Sequence, residues 1–122
     1  MQAQDDAAAA VAYGEAARFA RSELELNNAD AMVRADLAHY QARLGNESRA
    51  RALMTKAIEA QPADMYIRYN GALVFAELGD APQALENLAQ AVKLGYQVDL
   101  LPVDPGLRSL QDMPEFTTLM SH

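Results

Sequence analysis

The chain has no cysteine and no tryptophan, only three phenylalanines, and ten lysines and arginines set against seventeen aspartates and glutamates. The missing cysteine excludes disulfide staples, thiolate nucleophiles and cysteine-bound zinc. The shortage of cations leaves a net charge of −7 and a pI near 4.6, which repels phosphate backbones and provides no basic stripe for counterion release, so nucleic acid is not an expected partner. No apolar run approaches the roughly 20 residues that would span a bilayer. The first residues carry Asp5 and Asp6 where a secretory leader would be basic. These absences describe a soluble chain, expected in the cytoplasm, or in the periplasm if it is an excerpt of an exported protein.

The chemistry of a catalytic site is equally thin. His39 and His122 are the only histidines, without the spacing of a zinc site or of a His-assisted nucleophile. The acidic pairs Asp5/Asp6, Glu23/Glu25 and Asp112/Glu115 have no neighbour in sequence that would shift a pKa, and Asp99 and Asp104 lack the multi-oxygen spacing of a calcium loop. The sequence therefore predicts no enzyme, no metal and no cofactor.

What the chain does contain is a period. Arg34, Ala38, Ala42, Leu44, Gly45, Ala50 and Ala57 recur 34 residues later as Arg68, Ala72, Ala76, Leu78, Gly79, Ala84 and Ala91. Val33/Ile67, Met54/Leu88 and Ile58/Val92 support the same register. Matches at small and apolar positions are what helix packing constrains, and a unit this short buries its apolar face only by stacking on a neighbour. Residues 31–64 and 65–98 are two copies of one unit.

Local signals divide each copy into two helices. Asp30 is a good N-cap for a helix running to about Arg43, with Val33, Leu37, Ala38, Gln41 and Leu44 facing inward; Gly45-Asn46 ends it. Glu47 to Ala60 forms the partner, presenting Ala50, Leu53, Met54, Ala57 and Ile58, and Pro62 stops it. In the second copy Asp64 caps a helix over 66–78, Gly79-Asp80 turns the chain, Pro82 falls early in the next helix and Gly95 closes it. Gly71 is anomalous within a helix, where it stands in place of Leu37; close approach of a bulky neighbour is its simplest explanation, with a role at the groove as the alternative.

Upstream, Asp6 to Leu26 is helical, as one long element or two bent near Gly14. In the repeat frame Gly14 to Leu26 matches the second helix of an earlier unit, which suggests that the chain is an excerpt of a longer protein. After Gly95 the period fails at Pro102, Pro105 and Gly106. An irregular stretch over 96–103 is expected, then a short helix opened by Asp104-Pro105 with Leu107 and Leu110 inward. A last helix, opened near Met113-Pro114, carries Phe116, Leu119 and Met120. The expected organisation is one all-α domain over 1–122: a half unit (1–30), two units (31–64 and 65–98) and a cap (99–122).

Small residues at the helix crossings, the Gly-Asn or Gly-Asp turn, the alanine seven residues before another alanine and the proline about five residues later resemble the tetratricopeptide repeat. The Asp104-to-Arg108 and Pro114-to-Phe116 stretches are similar to endings of bacterial members. Gln41, where an aromatic is usual, Gly71, and the missing closing proline of the second unit depart from the pattern. The resemblance implies a right-handed superhelix whose concave wall, built from each unit's first helix, binds a peptide or partner protein. Met32, Ala35, His39, Ala42 and Arg43, then Tyr66, Tyr69, Leu73, Ala76 and Glu77, would line that wall. The C-terminal tail is an alternative occupant for the space over Tyr66 and Tyr69. Self-assembly through the first helix, by way of Val11 and Phe19, and docking within a larger signalling protein or enzyme are alternative functions. The lysine and asparagine of a carboxylate-holding clamp are replaced by Ala35 and His39, so that property is not carried over to Asn70.

Overall fold

In a computed structural model that describes residues 2–26 and 30–121, with side chains from residue 8 onward except at 20 and 23–29, the described residues form helices and the turns between them, with no strand. Six α-helices follow one another: α1 Gln2–Leu26, α2 Ala31–Arg43, α3 Glu47–Ala60, α4 Met65–Glu77, α5 Ala81–Lys93 and α6 Pro114–Met120. Two 3-10 helices, η1 Val98–Val103 and η2 Pro105–Leu110, stand between α5 and α6. α2 pairs with α3 and α4 with α5; α4 also packs on α2 and α3, α1 packs on α2, and η2 lies on α4. The result is a right-handed helical solenoid closed by a helical cap. Among the described residues no helix is long and apolar enough to cross a membrane.

Carboxylates cap the starts of α2, α4 and α5, and two of them, Asp30 and Asp64, are N-caps that the sequence singles out. Asp30 Oδ1 accepts from the Val33 amide at 3.1 Å, Asp64 Oδ1 from Tyr66 and Ile67 at 2.9 and 3.1 Å, and Asp80 Oδ1 from Gln83 at 3.3 Å. Each satisfies a donor that the first helical turn leaves free. The ends of α2, α4 and α5 repeat one geometry. Gly45, Gly79 and Gly95 take φ of 84°, 76° and 114°. The next amide then bonds back across the last turn, Asn46 to Gln41 at 2.9 Å, Asp80 to Phe75 at 2.8 Å and Tyr96 to Ala91 at 2.9 Å. This double-bonded ending needs a left-handed residue, and glycine supplies it without a Cβ clash.

Alanines make the crossings. Ala31, Ala35, Ala38 and Ala42 of α2, Ala50 and Ala57 of α3, Ala72 of α4, and Ala84 and Ala91 of α5 are all buried. Leu88, Ile67, Val74, Met54, Leu101, Leu107 and Leu110 fill the space between them. A second, smaller cluster joins Ala17 of α1 to Leu37, with Val33, Tyr40, Leu44 and Leu53 packed around it.

The two departures inside the repeat have physical reasons. A Cβ on Gly71 would lie 3.2 Å from both Asn87 Cγ and Ile58 Cδ1, so the close approach expected there is present. Gln41, buried where its counterpart Phe75 is apolar, accepts from the Asn46 side chain at 2.6 Å and so ties down its own turn.

α1 runs without interruption through Gly14, and leaves Val11 and Phe19 63% and 68% exposed. Leu24 and Leu26, matched above to an earlier unit, fall outside the residues with described side chains, as do 27–29 and His122. Downstream, the stretch read as irregular is η1, and the helix opened by Asp104-Pro105 is the 3-10 helix η2, with Leu107 and Leu110 buried as expected.

A Cβ at Gly14 meets nothing within 4 Å, so Gly14→Ala should stabilise the chain by about 1 kcal/mol through helix propensity. Gly79→Ala forces an L-residue into the left-handed region and should destabilise by roughly 1–2 kcal/mol. Urea unfolding followed by circular dichroism checks both: one midpoint rises and the other falls.

Candidate functional site

α2 and α4, the first helix of each unit, pack on each other and carry the candidate residues. On them the structure sorts the candidate residues into three groups. Ala35, Ala42 and Tyr69 are buried in the packing. Met32, His39, Leu73 and Ala76 are half-buried. Tyr66 is 58% exposed, and Arg43 and Glu77 reach solvent.

The chain's own C-terminal segment covers the middle of this face. The Tyr69 hydroxyl donates to the Asp104 carboxylate, and the Tyr69 ring stacks on Tyr96 with centroids 4.0 Å apart and planes 11° from parallel. Burial, and then the bond to Asp104, push the Tyr69 hydroxyl pKa up. The other Asp104 oxygen accepts from the Gly106 amide at 2.8 Å, opening η2. Gly106 presses against Leu73 so closely that a Cβ there would fall 2.7 Å from Leu73 Cδ2. Buried Leu101, Leu107 and Leu110 anchor the segment in the core.

Two parts of the face stay open. At the start of α4, Tyr66 projects beside Asn70, whose side-chain amide donates to the Tyr66 carbonyl at 3.0 Å and lies 3.7 Å from Met32 Sδ. At the ends of α2 and α4, Arg43 meets Glu77 at 3.7 Å and sits 5.8 Å from the centre of the Tyr13 ring of α1. Here a cleft of about 490 Å³ is lined by Arg43, Ala76, Glu77, Pro105, Gly106, Arg108 and Ser109.

His39 lies between the two open parts. Burial pulls its pKa down first and the Arg43 charge pulls the same way, while Glu77 and Asp104 oppose them. Neutral imidazole is therefore the favoured folded form.

The opposite side of the molecule carries a second cleft, of about 390 Å³, between α3 and α5 with Ile58, Phe75 and Asn87 among its lining residues. Its cations serve the fold. Arg51 bonds Asp80 at 2.6 Å, holding that carboxylate below its usual range, and lies 5.6 Å from the centre of the Phe75 ring. Arg68 donates to the Pro62 carbonyl at 2.8 Å and to Asn87 Oδ1 at 3.0 Å. No three His, Asp or Glu side chains converge as metal ligands among the described residues.

Sequence reasoning pairs Arg43 with Glu77 only as members of one wall, and it misses Tyr13, Tyr96, Asp104, Gly106, Arg108 and Ser109 as parts of the site. The Asp104-Pro105-Gly106 signal marks a helix start. Nothing periodic says where that helix docks. No family model matches the chain, and no curated protein or solved structure matches it significantly.

Because the folded His39 pKa lies below its unfolded value near 6.5, the unfolded chain binds the extra proton more readily. Stability is then lost as pH falls through about 6.5 toward the depressed value. Urea midpoints measured at pH 7.5 and 5.5 should drop more for the native chain than for His39→Gln; equal drops would refute this assignment.

Proposed function

We propose that this chain is a protein-interaction module of the tetratricopeptide-repeat type, and that it holds a peptide or partner-protein segment along the open parts of the α2/α4 face without catalysing a reaction. The observation that carries the reading is Tyr66. A large aromatic side chain stands 58% exposed beside Met32 and Asn70, on the helix that the repeat pattern assigns to the inner wall. Exposed aromatics on rigid elements are typical anchors of binding hot spots, since they bury much area for little lost side-chain freedom. In this reading Tyr69 and Leu73 act indirectly, by seating the C-terminal segment that borders the site, while Met32, His39, Arg43 and Glu77 meet the partner.

Peptides selected from a random display library against the immobilised full chain test it. Tyr66→Ala should weaken the selected peptides at least tenfold, whereas Lys56→Ala, on the exposed side of α3, should leave them unchanged. Loss on Lys56→Ala with no effect of Tyr66→Ala would place binding elsewhere.

Self-association through α1 is the second reading, favoured by Val11 and Phe19 at 63% and 68% exposure on one helix. If it holds, sedimentation velocity shows a concentration-dependent dimer that Val11→Ser with Phe19→Ser abolishes. A monomer at every concentration removes it.

A further inference from the structure

We infer that the cleft between the ends of α2 and α4 and the 3-10 helix η2 receives an acidic side chain, aspartate or glutamate, from a short peptide segment. This rests on the interaction-module reading and specifies the chemistry of its partner.

The cleft is fixed in shape. Leu107 and Leu110 are buried on one side of η2, Asp104 caps its first turn, and Gly106 is pressed on Leu73. Arg108 and Ser109, exposed between the two leucines, are thereby held over the cleft. Its lining carries two guanidinium groups and one carboxylate, and that carboxylate, Glu77, already lies 3.7 Å from Arg43. The Arg108 side chain makes no hydrogen bond or ion pair among the described residues, and Arg108 is the only lysine or arginine after Lys93. Its fork of donors matches a carboxylate bidentately, and the neighbouring Ser109 hydroxyl can donate a further bond. Ala76 adds little bulk to the lining beside the guanidinium groups.

The surroundings set the length of the ligand. With a net charge of −7 on the whole chain, an extended polyanion would meet repulsion beyond the cleft, while one or two carboxylates need reach no further than Arg108 and Arg43.

The test uses three fluorescent hexapeptides, each capped at both ends so that no terminal carboxylate contributes, with a central Glu-Glu, Gln-Gln or Lys-Lys pair between glycines. Anisotropy titrations of the full chain at low salt should give at least tenfold tighter binding of the Glu peptide than of the other two. Arg108→Glu should erase that preference, and Arg108→Lys should keep part of it. Equal binding of the Gln or Lys peptide, or a preference that survives Arg108→Glu, overturns the inference. If library-selected peptides still depend on Tyr66 in that event, the module reading stands and only the acidic ligand falls; loss of both results removes both.

Discussion

Close approach of helix to helix through alanine is the constraint on which the rest of this molecule depends. Ala35, Ala38, Ala50, Ala57, Ala72, Ala84 and Ala91 are each 0% exposed, and a larger side chain at such a crossing would push two helices apart and spoil every contact beyond it. That is why the 34-residue period is written in small residues. The large apolar side chains can vary between copies so long as neighbouring volumes compensate. Leu37 of the first unit packs against small Ala17, while Gly71, its counterpart, gives way to Ile58 and Asn87. Residue identity at these contacts differs between the two units.

The polar groups follow the same logic. Asp80 caps α5 with one oxygen and binds Arg51 of α3 with the other, so one carboxylate both starts a helix and joins successive units. Gln41 replaces ring packing with a hydrogen bond to the turn that follows it. Asp104 divides its two oxygens between opening η2 and holding Tyr69. Asp80 and Asp104 thus couple local geometry to tertiary packing, and in both the sequence displays only the local half, a turn at Gly79-Asp80 and a helix start at Asp104-Pro105.

That division explains what was legible. Helix starts at Asp30 and Asp64 and ends at Gly45, Gly79 and Gly95 rest on interactions spanning a few residues, so both element order and pairing could be deduced from the chain. The burial of Leu107, Leu110 and Phe116 followed from spacing in the same way. The site was only half legible. Spacing placed Tyr66 and Tyr69 on one helix face, but their fates diverge because Tyr69 meets Asp104 and Tyr96, far along the chain, and Tyr66 does not. Contacts made by an aperiodic segment leave no repeat register to extrapolate. The cleft at Arg108 exists only because that segment folds back.

α1 illustrates a different outcome of the same architecture. Its packing is directed at α2, and Ala17 is its buried side chain among those described. In a stack whose elements touch mainly their neighbours, the energy of opening an outer element is that of one interface, not of the entire domain. Detaching α1 from α2 thus opens one interface, whereas displacing α4 opens those with α2, α3, α5 and η2 together.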